Sequence, residues 1–414
     1  MRTKRIVNKI TSLSNTFYWS MVILIGSALL FSWRLSYGTL FNTTKGEQAV
    51  MEQISHPVNL WHNISGLNGL YFGLGHLTYL IDGSLTGARL ASVIVGLGSV
   101  MLVYWIVSNW HGYRVASLAA AIFATNLSVL ALSRHATPLV SQLWLGASLF
   151  AGMVIIRRRH DYLGLLIWLI LGVLNLYIPG AIWLVIAYVI LNLSELRLTL
   201  GTIRGLWLKL TPFLIAILAI IPMVIGFIRS YSSHYLAIYL GYRLHGSFTT
   251  ALKQFGTNLV NVPSDLFIRS AGFSPSYVLG HQPLLALADT LIIAVAVYVY
   301  ITRINDRRWR YVLIFTGLIW ILAAFGVLRP FAILPLTAIA AGTGMAYLLR
   351  EWYVVFPRNP FARFGGIGLM SIVILFACVY STRSYYVAWY NNPQTLLHFD
   401  IKTPLVDRQT LRHR

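Results

Sequence analysis

Acidic side chains are scarce in this 414-residue chain, which holds 11 Asp and Glu against 32 Lys and Arg. Charged residues of both signs make up only 10% of it, and no stretch is polar enough for long enough to fold alone as a water-soluble domain. Cysteine is nearly absent. The single Cys378 lies inside an apolar run, which excludes an intramolecular disulfide. Low-complexity tracts are missing too, so linker or scaffold functions built on them are excluded.

Apolar residues are abundant: 57% of the chain is hydrophobic and the mean hydropathy is +0.69. They fall in blocks of about 20 residues from end to end, the length a helix needs to cross a bilayer. The chain is therefore expected to be an all-α, polytopic integral membrane protein forming a single transmembrane domain over residues 1–414. Its formal net charge of +21 does not indicate a nucleic-acid partner, because the cations punctuate the apolar blocks instead of gathering in one stripe.

That punctuation sets the topology. Arg2, Lys4, Arg5 and Lys9 precede the first apolar run and place the amino terminus in the cytoplasm. The run is too long for the core of a cleaved signal peptide and is read as a first span. Residues 66–81, which include His76, are too short and glycine-rich to cross, so they are expected to be interfacial or re-entrant. Counting onward gives about eleven spans, with Arg157–Arg159, Arg303–Arg310 and Arg350–Arg363 on inner turns and the carboxyl terminus outside. Residues 41–84 form a first external loop with juxtamembrane helices, and residues 229–283 a large second one. The expected location is multi-pass in the plasma membrane.

Two of the few acids sit in the first external loop. Thr44 followed by Glu47 is a capping-box pattern, and Pro57 stops the short helix that begins there. Helical spacing puts Glu47 on one face with Val50, Met51 and Ile54, where an apolar residue is expected, while Glu52 falls on the wet side. A carboxylate turned toward protein or a cleft is a candidate for chemistry, and equally a helix cap. His56, His62 and His76 lie nearby, but their spacing matches no zinc motif, so no metal and no cofactor is expected.

Farther along come Gly87-Ala88-Arg89-Leu90-Ala91-Ser92 at the head of a glycine-rich span, Gly280-His281-Gln282-Pro283-Leu284-Leu285, and Arg329-Pro330 with Leu334-Pro335. In that order, and with an acid in the first external loop, the sequence resembles the GT-C membrane glycosyltransferases, closest to the protein mannosyltransferases and aminoarabinose transferases. The resemblance implies a GT-C-like fold and transfer of a sugar from a polyprenyl-phosphate donor to a lipid, glycan or protein acceptor at the outer face. It also implies that Glu47 is the catalytic carboxylate, acting as general base in an inverting displacement. The pattern departs from the family at Gly46, where the first acid of a pair is usual, and at Arg134-His135-Ala136-Thr137-Pro138, where an acid is common. An anionic leaving lipid phosphate calls for cations, and Arg329, Arg134, Arg243 and Arg269, with His56, are the expected substrate-binding residues. Two other readings stay open: a transporter or lipid flippase, and a catalytically inactive GT-C-like protein.

The topology is testable by labelling. Cysteines placed at Ser55, Ser274 and Thr403 are expected to react with an impermeant reagent added outside, and ones at Ser194 and Asn305 are not. If Ser55 and Ser84 flank a full crossing, with Arg157–Arg159 facing out, this topology is wrong.

Overall fold

A computed structural model describes residues 2–33, 35, 44–55, 66–229, 233–241, 248–270 and 276–398. His56, Pro57, His62, Arg243, Ser274 and Thr403 lie outside the described residues. Among those described, all regular structure is helical. α1 (Arg2–Ser32) and α2 (Lys45–Ser55) precede α3 (Gly69–Asp82) and α4 (Leu85–His111). α5 (Tyr113–Thr125) and α6 (Leu127–Arg134) meet at 65°, and a 3-10 turn at Pro138–Val140 leads into α7 (Ser141–Arg158). After α8 (Tyr162–Leu176), α9 (Ile182–Leu191) meets α10 (Leu193–Thr202) at 60°. α11 (Leu206–Arg229), α12 (Ser233–Tyr239) and α13 (Phe248–Phe267) lead to a pair, α14 (Leu287–Thr302) and α15 (Arg307–Ala324), that doubles back at 119°. The 3-10 turn Pro330–Ile333 opens α16 (Leu334–Val355). α17 (Pro360–Arg383) runs into a π-helical turn, Ser384–Trp389, before α18 (Pro393–His398).

By length and composition, six of these helices can cross a membrane, or up to nine if each bent pair is one span. Each apolar segment picked out by hydropathy contains a helix, yet the number is below the expected eleven for a physical reason. Hydropathy registers composition, whereas α8 has only 15 residues and several other segments are broken by bends. α3 has 14 residues, about 21 Å of rise, short of a hydrocarbon core of about 30 Å.

The breaks have local causes. Asn126 separates α5 from α6 because its side chain accepts from the N–H groups of Ser128 and Val129, capping α6 while its own backbone leaves the helix. Its amide also donates to Leu284 O at 2.7 Å, tying the bend to the segment before α14. α4 is capped by Ser84, which accepts from Thr86 N. Asp82, just before it, accepts from the Ser84 hydroxyl.

α4 runs for 27 residues. At its far end Arg158 donates to Asn109 Oδ1 and O, the His111 ring stacks on Trp309 at 5.9 Å, and Arg157 lies 3.3 Å over the Tyr311 ring. The basic turns after α7 and α14 therefore share one end of the bundle. Arg89 sits 22 residues back along the same helix, roughly 33 Å away at the α-helical rise.

Near Arg89, α3 and α4 approach closely at Gly87. A Cβ there would lie 2.8 Å from Thr78 O and 3.0 Å from Tyr79 Cα, both backbone atoms with little room to move. Gly87→Ala is expected to destabilise the protein by about 1–3 kcal/mol. Gly256→Ala on α13, which has open space around it, is expected to be neutral or stabilising. Thermal unfolding of both variants in detergent checks the contrast.

Candidate functional site

The 44–55 segment folds around its capping box. Glu47 N donates to Thr44 Oγ1 at 3.0 Å and Thr44 N to Glu47 Oε2 at 3.4 Å, so α2 starts at the expected residues. Its inner face carries Glu47, Val50 and Ile54, all buried, while Glu52 is exposed. Ile54 packs onto Gly75 of α3, and His76 Nδ1 bonds Ile54 O at 2.7 Å, satisfying a carbonyl at the end of α2. His76 is thus a hydrogen-bonded packing residue.

Glu47 is only 2% exposed, and its carboxylate is the centre of a network. Arg89 grips it with both arms of the guanidinium fork, Nε to Oε1 at 3.0 Å and Nη2 to Oε2 at 3.1 Å. Ala136 N donates to Oε1 at 3.0 Å, and His135 Nδ1 is 3.3 Å from the same oxygen. Burial by itself pushes the carboxyl pKa up. The His135 ring and the Arg89 guanidinium more than offset that and hold it well below the usual carboxylate range. Burial pushes the His135 pKa down against the pull of Glu47, and we take the Arg89 fork and the Ala136 N–H as the durable holders of the charge.

The surrounding shell locks this pair in place. Ser92, one turn along α4 from Arg89, bonds the Tyr71 hydroxyl at 2.8 Å and accepts from Thr137 N. Thr137 in turn accepts from Leu139 N and from the Tyr277 hydroxyl at 3.3 Å. Burial raises the Tyr277 pKa, with Glu47 raising it further and Arg329 opposing, which places this phenol within electrostatic reach of both. His135 packs against Trp389 of the π turn, ring centroids 5.6 Å apart.

Arg134 does something the sequence did not suggest. Its guanidinium donates to the carbonyls of Leu30, Phe31 and Trp33, capping the end of α1, and to the Tyr385 and Tyr386 hydroxyls of the π turn. All three of its nitrogens are engaged within the protein. Arg329 and Arg269 are exposed; Arg329 N donates to Gln142 Oε1 at 2.9 Å. Arg269 sits beside the 279–285 segment, since Ser270 N donates to His281 O and the Leu284 and Leu285 N–H groups donate to Asp265 O and Leu266 O. That segment, the Asn126 bend and α17 line an apolar groove of about 710 Å³ that also takes in Ser128, Phe376 and Ser384.

Sequence reasoning singled out Glu47 but not its partners Arg89 and His135, nor the Tyr385 and Tyr386 hydroxyls that Arg134 engages. A signal for Arg89 was present, because an arginine one turn into an apolar helix requires a partner, and only three acids, Glu47, Glu52 and Asp82, precede it.

No family model matches the sequence. Over 102 residues the chain is 33% identical to the undecaprenyl phosphate-alpha-4-amino-4-deoxy-L-arabinose arabinosyl transferase of Pectobacterium atrosepticum. That match spans 24% of this chain and only 17% of the relative. The crystal structure of ArnT from Cupriavidus metallidurans bound to undecaprenyl phosphate superposes with a TM-score of 0.51, covering 91% of this chain and 76% of that one at 14% identity. The chain has the fold of ArnT. This polytopic, all-helical architecture is the one expected from the sequence. The apo form of the same ArnT aligns over the same shares with a TM-score of 0.47 and 15% identity.

Arg89→Ala leaves the Glu47 charge buried with fewer partners and is expected to cost about 3–5 kcal/mol. Arg89→Lys is expected to recover part of this, since a point charge cannot supply two parallel N–H bonds. Because the Glu47 carboxyl is depressed in the folded state, the stability it contributes is present above its ordinary value of 4.5 and is lost as the pH falls below that. The melting-temperature gap between wild type and Glu47→Gln should be flat from about pH 7 to pH 5 and shrink below about pH 4.5. A gap that closes well above pH 5 would overturn this account.

Proposed function

We propose that this chain is a membrane glycosyltransferase that moves a sugar, with inversion, from a polyprenyl-phosphate donor to a lipid, glycan or protein acceptor at the outer face. One observation supports the reading above others: likeness over nearly the whole chain to a GT-C protein solved with undecaprenyl phosphate. The end that gathers Arg157, Arg158 and the Arg307–Arg310 turn faces the cytoplasm by the positive-inside rule. Glu47 and the groove's polar neighbours then lie toward the outer leaflet, where a lipid-linked donor is reached.

In this reading the apolar groove receives the polyprenyl chain, and Arg269, beside its 279–285 wall, meets the phosphate with Arg329 as a second cation. His56 and Arg243 keep their proposed roles in substrate binding. Arg134 contributes by fixing α1 to the π turn, because its donors are already engaged. Glu47 admits two roles. As a general base it would have to accept the acceptor's proton, yet both of its oxygens already accept hydrogen bonds and its low pKa makes it a weak base at neutral pH. The filled oxygens favour the other role, an ionised anchor that holds the 134–138 turn and α2 in place around the reacting groups.

The activity is tested by incubating the purified chain with a panel of polyprenyl-phosphate sugars and an acceptor pool and following both by mass spectrometry. Transfer with release of polyprenyl phosphate is expected, and intact donor with no product across the panel removes the enzyme reading. Glu47→Gln separates the two roles. As an anchor, the variant should lose turnover together with melting temperature, and its pH–rate profile should keep the wild-type shape. A fall of about 10²-fold or more at unchanged stability makes Glu47 the base. Arg269→Gln is expected to raise the KM for donor with a smaller change in kcat.

A further inference from the structure

A second cavity lies at the opposite end of the molecule from Glu47. It measures about 640 Å³ and opens between α1, the end of α4, α5, α16 and α17, with Trp19, His111, Arg114, Arg350 and Tyr353 in its lining. Its walls between the polar groups are apolar, formed by Leu118, Leu349, Ile367 and Met370. Arg114 and Arg350 are both exposed, and neither forms an ion pair or a side-chain hydrogen bond among the described residues. Arg363 adds a third cation at the rim, stacked 5.6 Å over the Tyr353 ring. No acid lines the cavity. Glu351 follows Arg350 in sequence but points about 100° away around α16.

We propose that this cavity binds an anionic glycerophospholipid of the cytoplasmic leaflet, its phosphate held between Arg114 and Arg350 and an acyl chain lying on the Leu118–Ile367 wall. Charge complementarity selects the headgroup. Two arginines brought together from different helices with no acid between them repel one another, and an interposed phosphate turns that repulsion into two charge-assisted contacts. The apolar wall selects a lipid over a soluble anion, because free phosphate would leave that surface uncovered. A tryptophan of α1 and a tyrosine of α16 in the lining suit the headgroup level of a bilayer, where amphipathic rings settle. Basic pockets between spanning helices on the cytoplasmic side bind lipid headgroups by this physics. The site is roughly 33 Å along α4 from Arg89, about a bilayer's thickness from the outer-face groove proposed for the donor.

Native mass spectrometry of the full chain in detergent, titrated with dioctanoyl phosphatidylglycerol, dioctanoyl phosphatidylcholine or inorganic phosphate, tests this independently of any transferase activity. Wild type is expected to bind phosphatidylglycerol about 10- to 30-fold more tightly than phosphatidylcholine, as two cations near a headgroup imply. The Arg114→Gln/Arg350→Gln double variant is expected to lose that preference, and Arg114→Lys/Arg350→Lys to keep most of it. Equal affinity of wild type for the two lipids, an unchanged preference in the double Gln variant, or full displacement of phosphatidylglycerol by equimolar phosphate would each overturn the proposal. Should the double variant fail to fold, the wild-type comparison of two lipids and free phosphate still decides.

Discussion

A carboxylate withdrawn from water must be paired, and in this chain the pairing of Glu47 with Arg89 determines how this end of the bundle is built. Breaking a buried pair by removing one partner costs about 3–5 kcal/mol, a large fraction of a protein's net stability. Arg89 is fixed in a spanning helix, and that helix is drawn against α3 at Gly87. Glu47 is fixed by its own helix cap. The 134–138 turn must then present Ala136 N–H to the carboxylate, and His135 follows it into contact with Trp389. Geometry set by one ion pair thereby reaches α2, the short α3, the spanning helix α4, the turn after α6 and the π turn near the end of the chain.

Two further buried polar residues extend this order through hydrogen bonds to neutral groups. Asn126 bends a spanning helix and at the same time fastens the 279–285 segment, so the groove's wall and the kink share one side chain. Arg134 fills the open carbonyls at the end of α1 and positions two tyrosine hydroxyls, with Tyr386 also donating to Leu30 O. A π turn commonly marks functional parts of a helix, and here its extra residue per turn brings Tyr385, Tyr386 and Trp389 to one side.

How much of this was legible in the sequence follows the range of each interaction. The cap at Thr44 and Glu47, the buried stripe of α2 and the exposed Glu52 were legible because all lie within three turns of one helix. The short α3 was legible from length alone. The partners of Glu47 were not, since 42 residues separate it from Arg89 and 88 from His135, and no periodicity encodes which cation meets which anion. Arg134 looked like a phosphate ligand because sequence shows a cation at an outer turn and hides the three carbonyls it faces. Bends at Asn126 and between α9 and α10 lowered the number of long spans for the same reason: composition continues through a break that only capping geometry creates.

Arg134 lies 104 residues after Leu30 and 252 before Tyr386. A ribosome making about 5–20 residues per second needs roughly 13–50 s to travel from Arg134 to its last partner. During that interval α1, α4 and the α5–α6 pair have emerged, but the π turn that shields Arg134 and His135 has not. Arg134 can therefore meet its α1 carbonyls as soon as it is made, while its two tyrosine partners arrive only when nearly the whole chain has been synthesised. A membrane insertase or chaperone that holds polar helices until their neighbours arrive would act on this protein at that stage. Truncation just before Ser384 would leave α1–α17 in place and the Arg134 end of the bundle without the π turn that covers it.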